Sequence, residues 1–270
     1  MSGFAFPTAF VRNVFRHVCD CGCPVCGAGT GDGQLCKACQ SALEIARLAY
    51  PEFRLTESAL PGQAVGSERE VVCRSLYTYE YDAVRGLLFY LKRHPDKAAV
   101  KECAMKLIGI LPENLKSGKV LYINIPRSSA GLRKYGFDQA ALLTGALVKL
   151  LNDSAVPQGR KRGVPLKTKT AFSAEKVYFS GCLARLLFGK EQKGLNAGQR
   201  VANQSGRYYV RPFFRRPPWN PQRIVLVDDV ITTGASVLSA AKTLSEQYPD
   251  AEITALSLAT VCGSDRKKQK

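Results

Sequence analysis

Three groups of residues have the types and spacing to do chemistry. The first is the run Val225-Leu226-Val227-Asp228-Asp229-Val230-Ile231-Thr232-Thr233-Gly234-Ala235-Ser236. An apolar stretch meets two adjacent acids, then a small hydroxylated turn, then a helical segment. A helix start offers unpaired N–H groups and partial positive charge, and so holds a phosphate. Gly234 lets the backbone bend and approach a ligand closely. Thr232, Thr233 and Ser236 add hydroxyl donors, with the small Ala235 between them. Asp228 and Asp229 would repel a phosphate, and their place before the turn suits them to accept hydrogen bonds from sugar hydroxyls. Together these parts describe a site for a ribose 5-phosphate group. An ordinary strand–turn–helix with Asp or Thr as N-cap accounts for single residues but less well for the whole string. The Gly-x4-Gly-Lys-Ser/Thr pattern of a Walker loop is missing.

The second group is Ile123-Asn124-Ile125-Pro126-Arg127-Ser128, where a strand ends in a proline turn carrying an arginine. Arg127 offers a fork for two phosphate oxygens. A solvated arginine on a surface turn is the plainer alternative. The third group is Cys23-x2-Cys26 and Cys36-x2-Cys39. Each pair can aim two thiolates at one ion, and four complete a tetrahedral zinc shell with no open position. An iron–sulfur cluster or a redox dithiol are the other readings. Cys19 and Cys21 could substitute as ligands. Cys73, Cys103, Cys182 and Cys262 are isolated and read as core thiols.

The elements that must position these groups follow from periodicity. Val71–Tyr79, Val120–Ile125, Ile224–Val227 and a stretch within Ala251–Val261 read as strands. Asp82–Leu91, Ala98–Leu111, Phe137–Leu151 and Ala235–Gln247 read as helices, with Ser41–Leu48 and residues 8–18 as shorter ones. Strands alternating with helices predict an α/β fold, a mainly parallel sheet with helices on both faces. The predicted organisation is an N-terminal helix and four-cysteine zinc module over 1–50, a polar linker over 51–70 with a Pro61-Gly62 turn, and the α/β domain over 71–262. That domain carries a basic insertion at about 152–180, and a basic tail occupies 263–270.

The run from Val225 to Ser236 resembles the phosphoribosyl pyrophosphate (PRPP) signature of type I phosphoribosyltransferases. The resemblance implies that Thr232, Thr233, Gly234, Ala235 and Ser236 bind the 5-phosphate, and that Asp228 and Asp229 face the ribose hydroxyls. A longer set of segments is similar to the ComF family, competence-associated proteins related to amidophosphoribosyltransferases: Ile123-Asn124-Ile125-Pro126, Tyr135-Gly136-Phe137-Asp138-Gln139, Leu91-Lys92-Arg93, and Gln192-Lys193-Gly194-Leu195 with Arg200 and Asn203. Tyr135 stands where that family commonly has arginine, and Asp138 where it has asparagine. The resemblance implies PRPP binding by Asp228, Asp229, Arg127, Ser128 and Lys92, with Asp228, Asp229 and Arg127 as the catalytic set. It also implies Mg2+ carried mainly by ligand oxygens, a structural Zn2+ on Cys23, Cys26, Cys36 and Cys39, and a role in natural transformation. The acceptor of the phosphoribosyl group is left open. Residues 128–138 would close over the site as a lid.

The 270 residues carry a net charge of +17 and are 46% hydrophobic, which suits a packed core and polyanionic partners. Phosphorylated small molecules and single-stranded DNA, or DNA-handling proteins, both meet that description. The aromatic N-terminus lacks the layout of a signal peptide and no run reaches the ~20 apolar residues of a membrane span, so a cytoplasmic protein is expected. Two functions follow: a PRPP-using transferase, or a non-enzymatic nucleic-acid-associated protein that retains the fold.

Overall fold

The computed structural model describes residues 22–30, 34–56, 70–154, 176–185, 208–212, 217 and 219–261. The expected α/β architecture with a mainly parallel sheet is borne out. Six strands lie in the order β1-β2-β8-β7-β3-β4: β1 (Glu52–Thr56), β2 (Glu70–Thr78), β3 (Val120–Asn124), β4 (Tyr178–Phe179), β7 (Arg223–Ile231) and β8 (Glu252–Thr260). Only β1 is antiparallel to its neighbour. The central strands read as apolar runs because both faces are covered. Val225 and Val227 face one hydrophobic layer, and Ile224 and Leu226 face the other.

The helices divide between those layers. α2 (Asp82–Arg93), α3 (Lys97–Ile108) and α6 (Gln139–Ser154) bury Leu87, Leu91, Ala104, Leu107, Leu143 and Leu147 against the first face. α7 (Ala235–Gln247) buries Val237, Leu238, Ala241 and Leu244 against the second. Between α3 and β3 lies a single turn, α4 (Glu113–Lys116), and after β3 comes the short helix α5 (Ser129–Tyr135). From β3 the chain runs through α6 to β4, on one side of the sheet centre. From β7 it runs through α7 to β8, on the other side. Neighbouring strands whose crossovers depart in opposite directions leave a crevice at their carboxyl ends, where ligands of open α/β sheets sit. β5 (Leu183–Arg185) and β6 (Tyr208–Val210) form a separate antiparallel pair.

Several sequence readings shift. The strand expected at Ile224–Val227 continues to Ile231, so both acids lie inside β7. Pairing extends it: β8 matches β7 as far as Ile231↔Thr260, and Thr260 Oγ1 donates to the Ile231 carbonyl at 3.1 Å. The stretch read as linker begins with an edge strand, β1. Its Phe53 and Leu55 alternate inward between charged residues, a period-2 signal hidden by Glu52 and Arg54. The ends of the expected insertion are ordinary framework. Residues 152–154 finish α6, β4 pairs with β3, and the Asn152 amide brackets Val177, donating to its carbonyl and accepting from its N–H at 3.1 Å each. Residues 8–18, Cys19, Cys21, Pro61-Gly62, 155–175, the 192–203 segment and the basic tail lie outside the described residues.

The cysteine region is continuous with the main core. Cys23, Leu35, Cys39 and Leu43 share a hydrophobic cluster with Tyr77 and Leu87. A Cβ on Gly86 of α2 would come within 3.1 Å of Val25 Cγ1, so a side chain there would press on the cysteine hairpin. The helix expected at Ser41–Leu48 is α1 (Lys37–Ile45), which places Cys39 in its first turn.

Candidate functional site

β3 ends at Asn124, opposite Val227, and the Ile125 N–H makes one further bond to the Val227 carbonyl at 2.8 Å. Beyond that point, among the described residues, β7 pairs with β8 alone and makes no ladder bond on its β3 side. Asp228 and Asp229 occupy this free segment. The acid pair therefore stands at the crevice that the crossovers leave.

Asp229 follows the register of Val225 and Val227 toward the α2 and α6 face, and its side chain is 15% exposed. Its Oδ2 meets Lys92 Nζ at 3.0 Å and accepts from Gln139 Nε2 at 2.7 Å, while Oδ1 accepts from the Val230 N–H at 2.9 Å. Burial works against its charge. The Lys92 ammonium, with hydrogen bonds involving Asp228, Lys92 and Gln139, outweighs burial and holds the carboxyl below its ordinary pKa. Asp228 has the opposite balance. Burial first, and then the neighbouring Asp229, push it well above the ordinary range. Its Oδ1 accepts only the Asp229 N–H, at 2.8 Å, among the hydrogen bonds of the described residues. One cation thus serves two acids, which leaves Asp228 to take a proton or a cation brought by a ligand.

The turn follows directly. Thr232 and Thr233 are exposed, and Thr233 Oγ1 accepts from the Ala235 N–H at 3.4 Å. Gly234 is the N-cap of α7 with φ +77°, a conformation that favours glycine, and no acidic residue occupies the first turn. A Cβ on Gly234 would lie 2.5 Å from Leu55 Cδ1, so β1 packs tightly beneath the loop. Ser236 is half-buried at the start of α7.

The proline turn is held by Asp138. Its Oδ1 caps α6 through the Ala140 and Ala141 N–H groups at 3.0 and 3.2 Å. Its Oδ2 accepts from the Arg127 N–H at 3.0 Å and from Asn124 Nδ2 at 3.4 Å. A carboxylate here is thus satisfied by four donors. Ser128 caps α5, accepting from the Gly131 N–H at 3.1 Å. The Arg127 guanidinium donates to the Phe137 carbonyl at 3.3 Å and lies 4.2 Å from the Tyr135 ring centre. Its described contacts are with its own loop and α5, not with the acid pair. Lys92, expected among the PRPP-binding residues, pairs with Asp229 in this structure. Gln139 is absent from the expected site set, although it closes the family-like segment Tyr135-Gly136-Phe137-Asp138-Gln139 and is a polar side chain at the head of an apolar helix. An open cleft of about 630 Å³, lined by Arg47, Leu48, Arg74, Ile110 and Pro112 among others, includes none of these residues.

The four cysteines converge. Their Sγ atoms lie within 4.8 Å of one another, and Cys26 Sγ is 3.7 Å from Cys36 Sγ. A tetrahedron with Zn–S of about 2.3 Å has edges of about 3.8 Å. The hairpin that aims Cys23 and Cys26 closes through Cys23 N–H to the Ala28 carbonyl at 2.7 Å and Gly27 N–H to the Cys23 carbonyl at 2.8 Å. Burial opposes a thiolate at Cys23, but backbone N–H groups of Cys26, Cys36 and Val25 bring its pKa down to about 6. Burial and the other three thiols push Cys39 upward. The donor set fits a metal such as zinc, which would remove that mutual penalty. With all four positions filled by protein, such an ion would have no open coordination site.

No family model matches the chain, and no curated protein matches it. Among solved structures, orotate phosphoribosyltransferase from Aeropyrum pernix is similar at 14% identity and a TM-score of 0.32, covering 82% of this chain and 80% of that one. A hypoxanthine phosphoribosyltransferase from Staphylococcus aureus is similar at 12% identity and a TM-score of 0.29, covering 61% and 62%. These are partial superpositions; the architecture rests on its own strand order and register.

Proposed function

We propose that this chain is a phosphoribosyltransferase-like protein of the ComF type that binds PRPP with Mg2+ at Asp228–Ser236. One observation carries the reading: the acid pair overhangs the last β3 bond and leads within a few residues into Gly234 and the start of α7. A sugar in the crevice would meet Asp228 and Asp229 while its 5-phosphate meets the turn and helix start. Mg2+ would ride on the ligand's oxygens and supply charge neutralisation for the pyrophosphate. Asp228, which lacks an ion-pair partner among the described residues, suits that added charge. Arg127, Ser128 and Lys92 would serve the pyrophosphate end after leaving their present partners. The supported reaction is displacement of pyrophosphate from the anomeric carbon by a nucleophile, with Asp228 and Asp229 favouring the positive charge that develops on the sugar. Calorimetry with PRPP and Mg2+ tests this. Binding is expected for the wild type and lost in Asp228→Ala with Asp229→Ala; a wild type that does not bind PRPP ends the reading.

A second reading has its own observation. Phe89 is 54% exposed with the Arg93 guanidinium 3.7 Å from its ring centre. Tyr135 carries Arg127 on its ring and Lys134 at 5.2 Å. Aromatic faces beside cations suit stacked bases and phosphates, so the chain would handle single-stranded DNA, in line with a role in DNA uptake. An oligonucleotide titration should show affinity falling with salt by a log–log slope of about −0.7 per phosphate contact. DNA binding without PRPP binding would favour this reading over the transferase. No described helix is long and apolar enough to cross a membrane.

A further inference from the structure

The amide of Gln139 is only half used. Its residue is 9% exposed, and Nε2 donates to Asp229 Oδ2 at 2.7 Å. Among the described residues no donor reaches its buried Oε1. Reversing the amide would set that oxygen against a carboxylate oxygen, acceptor against acceptor. Asp229 therefore fixes the amide's direction and leaves a desolvated acceptor beside itself. Folded proteins rarely leave such an atom unpaired, and a missing ligand or water is a usual reason.

The position gives the atom a use. Gln139 opens α6, the crossover helix that leaves the crevice between β3 and β7. Lys92 Nζ shares the same Asp229 oxygen, and its side chain is 36% exposed. An ammonium on a flexible stem can turn toward an arriving phosphate. Its departure would free the Asp229 oxygen that it shares with the Gln139 amide.

We propose that Gln139 determines sugar specificity: its Oε1 accepts one hydroxyl of a cis-diol on a sugar phosphate while Asp229 accepts the neighbouring one. The inference rests on the sugar-phosphate reading above and adds a residue that the expected site set lacks. The Nε2 bond to Asp229 holds both acceptors in one orientation, so the pair reads two adjacent donors as a unit. A sugar lacking one hydroxyl leaves Oε1 buried and unpaired. Sites built to bond a hydroxyl reject the analogue without it far more strongly than apolar pockets reject a size change.

The test is calorimetry of the full chain with ribose 5-phosphate and 2-deoxyribose 5-phosphate, both with Mg2+. The wild type should favour the ribose compound by about tenfold or more. Gln139→Met should shrink that preference to about threefold or less, while Ser236→Ala weakens both sugars and keeps the ratio. Full discrimination in the methionine variant overturns the proposal. If that variant does not fold, the wild type still decides, because equal affinity for the two sugars sinks this inference alone. A wild type that binds neither sinks the sugar-phosphate reading and the inference together.

Discussion

Replacing Gly234 with alanine should cost stability through two separable effects. The backbone stands at φ +77°, where an L side chain costs about 1–2 kcal/mol. The new Cβ would also sit 2.5 Å from Leu55 Cδ1 and 2.8 Å from Cδ2. Leu55 is 6% exposed, so it has little room to withdraw, and overpacking of this kind adds about 1–3 kcal/mol. The expected loss is about 2–5 kcal/mol in total, a drop of about 1–2.5 M in urea midpoint for a slope of roughly 2 kcal/mol/M. Leu55→Ala alone should cost about 2–5 kcal/mol as a buried truncation. In the double variant the alanine at 55 makes room for the new methyl. The two losses should therefore fall short of additivity by about 1–3 kcal/mol, the backbone part remaining. Urea unfolding of the four proteins measures this. Additivity within about 0.5 kcal/mol would mean that Leu55 does not press on Gly234, and the picture of β1 bracing the phosphate turn would be wrong.

Asp228→Asn should stabilise the protein at neutral pH. Burial and then Asp229 raise Asp228 in the folded chain, so the folded state keeps a proton that an unfolded aspartate releases near pH 4. That contribution is complete below the unfolded pKa and is lost as pH climbs through the raised folded value. Asp229 has the opposite sign, and its stabilisation is lost as pH falls through its lowered value. Melting temperatures of Asp228→Asn from pH 4 to 8 should fall less with pH than the wild type's; parallel curves refute this. Metal analysis should find about one zinc per chain. Chelation, or Cys39→Ser, should lower the melting temperature of the whole α/β unit, since Cys23 and Cys39 sit in its core; an unchanged main transition would contradict that. Tyr135 should ionise below the ordinary phenol range, chiefly through its hydrogen bond with Lys134, with Arg93 and Arg127 adding to it. Lys134→Ala should raise the midpoint in an ultraviolet titration, and no movement would count against that hydrogen bond.

Some of this was readable from residues alone. The acids, the hydroxylated turn and Gly234 lie within a dozen consecutive positions, and the four cysteines come as two close pairs. Chain connectivity delivers their proximity before any packing occurs. The helix Ala235–Gln247 was also legible, since its apolar spacing and the glycine before it are local signals. The end of β7 was not, because pairing with β8 rather than hydrophobicity carries the strand through two aspartates.

The sequence by itself therefore determined the chemistry available: an acid pair ahead of a phosphate-type turn, and a four-thiol donor set. Tertiary structure alone decided the use of distant side chains. Gln139 and Asp229 are 90 positions apart, and Lys92, Asp229 and Gln139 meet only because α2 and α6 pack on the same face of β7. Leu55 reaches Gly234 only because β1 adds to the sheet edge. Contacts of this kind depend on sheet register and helix packing: the family-like segments mark Lys92 and Gln139 in the sequence, but only folding brings both to one carboxylate oxygen of Asp229.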